Sequence, residues 1–386
     1  MRWMAAVVAA TMASAIVVER AAARSLATQL DDLLTQKGFQ QVDTIVPTLV
    51  RTVARSADFP IAATGPDFAY EYRPETGAFE RSARPFNPVL IEVPQTLGLH
   101  VLQIGISTLW SGFNRQDGGL LRNTKARFAF TGTTPENETV PIPGNLTFND
   151  FRIEDFVFSG LVTYGITERW DIGLVVPAVL TTLKAQGRST VRIAGEKNLL
   201  VTLDRFDIDD SKLGIGDVLL RTKYALDPLW GMTFAPAFVL RLPTGNPNNF
   251  QGIGDTTLTP GVAAMHSGER VGFYADAGFE FDADDLSRSA FRYGMALSVR
   301  ILKYASIIAE LTGKSTVIDD TFSVRLAGTS RELPASVPRS DVVSGAVSVK
   351  ARVLPGCVAY AGALFPLTKD GVTAPVTPLA GLEIRF

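Results

Sequence analysis

The sequence predicts an all-β fold: a transmembrane antiparallel β-barrel of about twelve strands, preceded by a short, partly helical N-terminal segment. Three observations predict it. The chain ends Leu379-Ala-Gly-Leu-Glu-Ile-Arg-Phe386, alternating apolar and polar residues up to a terminal aromatic. In a strand this puts Ala380, Leu382, Ile384 and Phe386 on a lipid-facing side and Gly381, Glu383 and Arg385 on a polar lumen. The opposite end reads as an export signal, and between residue 99 and Phe386 alternating segments are joined by short and long connections in turn.

Taken from the N-terminus, Arg2 is followed by an apolar run from Trp3 to Val18, then Glu19-Arg20 and Ala21-Ala22-Ala23. That order matches the charged, apolar and small-residue regions of a signal peptide, and the run is shorter than the roughly 20 apolar residues of a spanning helix. Residues 1–23 are therefore expected to be a signal peptide cleaved near Ala23, with Ala27 as the second choice and a buried helix or short anchor as the alternative. No cysteine lies near the junction, which argues against a lipid-anchored lipoprotein.

Residues 24–98 lack the barrel pattern. Leu26 to Lys37 and Thr44 to Arg55 read as short amphipathic helices, and Phe68 to Arg81 reads as a hairpin. Pro85, Pro88 and Pro94 then make an extended lead-in to the first strand. The segment is expected to be a periplasmic element or a plug. Partial insertion is favoured, because the apolar faces Leu30, Leu33, Leu34 and Ile45, Leu49, Val53 need a partner.

Residues 99–386 are expected to form the barrel. Twelve segments alternate with period two: 99–113, 152–166, 169–183, 214–226, 230–242, 253–265, 269–282, 290–302, 304–316, 340–353, 356–365 and 376–386. After every even-numbered segment the chain reverses within a few residues, as at Thr167-Glu168 and Leu302-Lys303. After the odd-numbered ones the connections are mostly longer and polar, with 114–151, 184–213 and 317–339 the largest. Short periplasmic turns and long outer loops are the asymmetry of outer-membrane barrels, so both mature termini are expected in the periplasm. A soluble sandwich has no need of that alternation.

Parity then separates the two faces of each strand. In 290–302, Tyr293, Met295, Leu297, Val299 and Ile301 oppose Arg292, Gly294, Ala296, Ser298 and Arg300. An Arg or Lys facing mid-bilayer lipid costs about 2–4 kcal/mol, so the charged parity must be the lumen. The lumen is expected to be lined by Asp217, Arg221, Lys223, Arg241, Asp276, Glu280, Arg292, Arg300, Glu310, Lys314, Lys350, Arg352, Glu383 and Arg385. Some of these must pair with one another simply to stay charged, and twelve strands imply a narrow conduit. Tyr164, Trp170, Tyr224, Trp230, Tyr293, Tyr304 and Phe386 are read as an inner aromatic belt beside the short turns.

Composition excludes several functions. A net charge of −2 gives no basis for nucleic-acid binding, and the single Cys357 cannot form an internal disulfide. The tetrapeptide Gly-Ile-Gly-Asp occurs at 214–217 and again at 252–255. A phosphate-cradling loop would need a following helix, which the pattern lacks; glycines for a tight bend and Asp217 and Asp255 as caps of backbone amides explain it better. The acidic runs Asp204, Asp207, Asp209, Asp210, then Asp282, Asp284, Asp285, and Asp319, Asp320 read first as solvated outer loops, with divalent-cation binding by their carboxylates the alternative, and no resident metal or cofactor is expected.

With Arg241-Leu-Pro-Thr-Gly-Asn246 between the two Gly-Ile-Gly-Asp motifs, the stretch Gly214–Asp282 resembles the outer-membrane family named for the meta pathway of phenol degradation. The likeness is clearest over 150–386 and also rests on the terminal Phe386. The resemblance implies a Gram-negative, porin-like channel for small solutes, hydrophobic or aromatic ones among them. A passive outer-membrane channel or transporter is accordingly the leading functional expectation, with lipid and lipopolysaccharide around it, the barrel-assembly machinery reading Phe386, and a small-molecule solute as partners. The alternatives are a closed structural or adhesive barrel acting through its loops and a lipid-hydrolysing barrel enzyme. The second would need His100 or His266, both placed at periplasmic strand ends without a nucleophile pattern.

Overall fold

The computed structural model describes residues 25–30, 50, 52–53, 70–73, 78–81, 85–121, 125–133, 139–193, 199–325 and 332–386. The expected signal peptide and its cleavage site lie outside these residues, as does most of the two expected helices; Leu26–Leu30 is helical. The expected hairpin is present, with Tyr70 opposite Arg81 and Arg73 opposite Ala78.

Twelve antiparallel strands form a closed barrel. In chain order they are β1 (Leu102–Phe113), β2 (Thr139–Gly165), β3 (Trp170–Ile193), β4 (Val218–Tyr224), β5 (Thr233–Leu242), β6 (Thr257–Ser267), β7 (Val271–Asp282), β8 (Ala290–Leu302), β9 (Ala305–Thr316), β10 (Asp341–Leu354), β11 (Cys357–Pro366) and β12 (Thr377–Arg385). Each pairs with its neighbours in sequence, and β12 closes on β1, with Arg385 opposite Gln103 and Leu379 opposite Leu109. Phe386 extends the seam by exchanging backbone bonds with Leu102, at 2.8 and 3.3 Å.

The faces divide as parity requires. Trp110, Phe156, Phe158, Ile172, Leu174, Phe238, Phe273, Met295 and Val347 all point outward and are exposed, as expected of a wall whose solvent is hydrocarbon. The opposite parity carries the charges and is mostly buried in the lumen. Trp170, Tyr224, Trp230, Tyr304 and Phe386 are exposed aromatics at the short-turn end; Trp170 Nε1 donates to Thr222 Oγ1 at 2.7 Å. Tyr293 is a correction: it lies near the start of β8, at the long-loop end, with its hydroxyl 3.4 Å from Ser315 Oγ.

Two of the expected loops are strand. β2 and β3 run for 27 and 24 residues, more than twice the about 9–11 that a tilted strand needs to cross the bilayer. Their outer ends are flanked by the strands Lys125–Thr133 and Leu199–Ile215. The third large connection contains a hairpin, Asp320–Arg325 with Glu332–Val337. Polarity marked these stretches as loops, but β-branched and aromatic residues such as Thr190 and Phe206 favour extended backbone there. Leu199–Ile215 and β4 read as one strand, broken at Gly216-Asp217.

Ser25, beside the expected cleavage site, lies at the long-loop end, because Leu26, Ala27 and Leu30 are buried among Phe148, Phe151, Ile153 and Phe206 on the outer halves of the long strands. Phe386 therefore lies at the short-turn end and the first described residues at the long-loop end. Burial of the helix's apolar face holds it there, since burying a leucine is worth about 1.5–3 kcal/mol.

Because Phe386 completes the last ladder contact of the closing seam, its deletion should lower the yield of heat-modifiable barrel in outer membranes severalfold. An undiminished yield on unboiled gels would contradict this.

Candidate functional site

The candidate site is the lumen, and a stretch of the chain's own N-terminal region occupies its inner half. Residues 85–97 belong to no helix or strand and bend at Val89–Ile91 and at Pro94, and the three prolines lack the N–H groups that a ladder needs. Phe86 sits at the short-turn end, where its N–H donates to Ser306 Oγ at 3.1 Å and its carbonyl accepts from Ser298 at 2.7 Å. The chain then climbs to about mid-depth at Leu90–Glu92 and returns to the short-turn end at Leu97. Val89, Ile91 and Val93 pack with Met265, Tyr274, Ile308 and Tyr360. A segment that touches β3, β4, β7, β9 and β12 in turn can only lie inside the ring.

The wall holds this segment largely by its main chain. Glu310 accepts from the N–H groups of Val89 and Leu90 at 3.0 and 2.7 Å, Asp276 accepts from Glu92 N at 3.3 Å, and both oxygens of Asp171 accept from Leu97 N, at 2.9 and 3.1 Å. Three wall carboxylates thus supply the acceptors that a neighbouring strand would provide, and bonds to an ionised acceptor are stronger than neutral ones. Arg385 Nη2 donates to Leu97 O at 3.0 Å, and Lys223 Nζ to Val93 O at 2.9 Å. The segment's single charged side chain joins it to the wall: Glu92 meets Arg221 and, at 3.1 Å, Lys223.

The sequence-derived lining residues all carry lumen parity, and the structure brings half of them together as pairs within the wall. Glu280 takes Arg292 at 2.6 Å and Lys314 at 2.9 Å. Lys350, fully buried, meets Glu383 at 3.3 Å, and Glu383 also accepts from Gln103 at 3.1 Å. Arg241 is 3.8 Å from Asp217, and Arg352 lies over the ring of Phe86, 5.7 Å from its centroid. Arg300 shares the parity near the short-turn end. Sequence reasoning missed Glu92, Asp171 and Ser306, and placed Ser298 on the lumen face without giving it a role. The strand pattern could have flagged Asp171 and Ser306, while Glu92 is the one charge in a thirteen-residue stretch and needed the wall to show its partners.

Above the segment lies a cavity of about 280 Å³, lined by Leu90, Glu92, Arg221, Arg241, Glu280, Arg292 and Lys314 together with Leu219, Ala237, Val239 and Ala263. Its roof is an apolar cluster of Leu26, Leu30 and Val53 with Phe113, Phe151, Phe206, Phe250 and Val372. The helix is tied there by Leu26 N to Asn249 Oδ1 at 3.0 Å and Gln29 to Asp210 at 2.6 Å.

The two motifs of the sequence meet at the edge of this roof. Asp217, buried, accepts from Gly245 N at 3.0 Å and Ile253 N at 2.8 Å. Thr244 Oγ1 donates to Gly216 O at 2.7 Å and accepts from Val218 N at 2.9 Å. A Cβ added at Gly252 would stand 2.4 Å from Asp217 Oδ1, so only glycine lets the loop close over the carboxylate. The loop 243–254 is thereby folded against the broken strand, where Gln251 Nε2 reaches Lys212 O at 2.9 Å and Val179 O at 3.2 Å. Asp255, the counterpart of Asp217 in the second motif, does different work. It pairs with Arg288, which also lies 3.6 Å from Asp285 and 3.8 Å from Asp320. Burial works against the charge of Arg288, but Asp255, Asp320 and Asp282 raise its pKa above the usual guanidinium value. Asp282 and Asp320 are buried, a correction to the reading of these runs as solvated.

His100 and His266 lie at the short-turn end. His100 Nδ1 is 2.8 Å from Tyr164 Oη, and His266 Nδ1 is 2.9 Å from Gly231 O.

Residues 131–329 match the family described as "Putative MetA-pathway of phenol degradation", and the chain belongs to that family. No curated protein matches the sequence. Among solved structures the chain is similar to an outer membrane channel from Pseudomonas putida F1, with 13% identity, 76% of this chain and 98% of that one covered, and a TM-score of 0.46. It is also similar to the KdgM porin, with 9% identity, 63% and 96% covered and a TM-score of 0.35. The CymD monoaromatic hydrocarbon channel follows with 9% identity, 75% and 89% covered and a TM-score of 0.35. The protein is a closed twelve-stranded antiparallel β-barrel with an apolar outer wall and a charged lumen.

Asp217→Ala should free loop 243–254, since two half-buried amides lose their acceptor at up to roughly 1–3 kcal/mol each. Chymotrypsin cleavage at the buried Phe250 should accelerate on intact cells, and an unchanged cleavage rate would show that the loop is held by other contacts.

Proposed function

We propose that the protein is a passive outer-membrane channel for small molecules, hydrophobic or aromatic ones among them, that is closed when residues 85–97 occupy the lumen. The observation that carries this reading is the cavity itself. A closed polar-lined ring holds an amphipathic space between two closures, and in each of them residues of the N-terminal region pack against the wall. A purely structural barrel fills its bore with wall side chains; here the bore is completed by a tethered, proline-rich strip that makes no strand pairing. On this reading the short turns and Phe386 face the periplasm, the long strands rise above the outer leaflet among lipopolysaccharide, and residues 24–98 act as a plug.

The lipid-hydrolase alternative gains nothing from the geometry. The contacts of His100 and His266 are with a tyrosine hydroxyl and a backbone carbonyl, at the end of the barrel away from the outer leaflet. Neither forms the hydrogen bond to a serine nucleophile that such chemistry requires.

Removal of residues 24–97 behind an intact signal peptide should raise ion conductance and the liposome swelling rate for small solutes severalfold over the full-length protein, provided the barrel remains heat-modifiable. Equal permeability of the two forms would sink the plug reading, and no permeability in either would sink the channel.

A further inference from the structure

The geometry points to Arg221 and Lys223 as a binding site for the carboxylate of a small organic acid, an aromatic monocarboxylate being the class that fits, with Glu92 occupying the site in the closed protein as a tethered stand-in. The inference rests on the channel reading and deepens it by naming a substrate class and the two residues that would select it.

The other strong lumen pairs are internal to the wall: Glu280 with Arg292 and Lys314, and Lys350 with Glu383. Arg221 and Lys223 differ. They stand two residues apart on β4, so they share the lumen face, and their one ion-pair partner among the described residues is Glu92. The wall carboxylates closest in register and field, Asp171 and Asp276, accept main-chain N–H groups of the segment instead. The wall therefore presents two adjacent cations to whatever fills the bore, and the segment answers with its single charged side chain.

The surroundings suit a ring on that carboxylate. Glu92 and Arg221 lie on the floor of the cavity, and Leu219, Ala237, Val239 and Ala263 line the space beside them. An apolar cavity of about 150 Å³ takes a benzene molecule, and this one offers about 280 Å³. A carboxylate seated between a guanidinium and an ammonium, with its ring against aliphatic wall, reproduces what Glu92 and its neighbour Leu90 do now. Binding of such a solute competes directly with Glu92 and removes the ion pairs that tie the segment's single charged side chain to the wall, so that the solute itself favours release of the segment. A neutral aromatic of the same shape has no such leverage, since charge-assisted bonds to the two cations are absent.

The test is calorimetric titration of the purified, heat-modifiable full-length barrel with sodium benzoate, with methyl benzoate as the neutral isostere and sodium phosphate as a second anion. Glu92→Gln should bind benzoate at least tenfold more tightly than the wild type. Adding Arg221→Gln and Lys223→Gln should abolish the gain, and methyl benzoate should show none. Benzoate affinity equal in wild type and Glu92→Gln, or an equal gain for methyl benzoate, overturns the proposal; an equal gain for phosphate overturns the aromatic part of it. If Glu92→Gln does not assemble, Lys223→Gln in the otherwise native chain carries the test, and undiminished benzoate binding there overturns the site. Benzoate binding with no solute flux in liposomes would leave the site standing and sink the channel. Flux through the shortened barrel with no benzoate gain in Glu92→Gln would do the reverse.

Discussion

A closed ring of strands in lipid has one place to put its charges. Twelve strands with outward faces made of residues such as Phe158, Leu174, Phe238 and Met295 force the charges of the membrane-spanning wall into a narrow bore, while outward-parity charges such as Arg152 and Lys184 sit on the outer stretches of β2 and β3. In the bore a charge without a partner is costly. Much of the interior answers that constraint: Glu280 gathers two cations, Lys350 and Glu383 neutralise each other in complete burial, and Asp217 folds a loop onto itself. Glu310, Asp276 and Asp171 find their donors in the backbone of residues 89–97. The segment and the wall satisfy each other, which is why a proline-rich strip with no ladder of its own can be held in place.

This mode of holding has a functional consequence. Main-chain recognition by carboxylates demands N–H groups outside a ladder but little of the side chains, so the segment could be replaced in part by solutes without rebuilding the wall. Its fixed points are the apolar knobs Val89, Ile91 and Val93 and the single charge Glu92. The outer closure is different in kind: Leu26, Leu30 and Val53 rest in a nest of phenylalanines, Phe148 and Phe206 meeting edge to face at 5.6 Å. Polar gripping at the inner half and apolar packing at the outer half leave an amphipathic cavity between them.

Much of this was legible in the sequence, for a physical reason. Lipid on one face makes the period-two signal strong, and all twelve barrel strands begin or end within a few residues of where alternation places them, except where β2 and β3 outrun the membrane and β4 is broken at Gly216-Asp217. Beyond the bilayer the signal fades, since neither face is obliged to be apolar, and strands such as Lys125–Thr133 then read as loop. The lumen residues were legible by parity, but their partners were not: nothing local says that Glu280 takes Arg292 or that Asp217 waits for Gly245 and Ile253. Tyr293 was misplaced because aromatic residues favour both interfaces. Glu92 was passed over because a lone charge in a proline-rich stretch has no pattern around it.

The account's central claim, that wall carboxylates grip residues 85–97 inside the membrane-embedded barrel, is tested most directly by hydrogen exchange on protein reconstituted in lipid. The amides of Val89, Leu90, Glu92 and Leu97 belong to no helix or sheet, so in an unheld segment they would exchange as fast as those of an unstructured peptide. The account predicts protection comparable to that of β9, lost at Val89 and Leu90 in Glu310→Ala. Rapid exchange at all four amides in the native chain would contradict it.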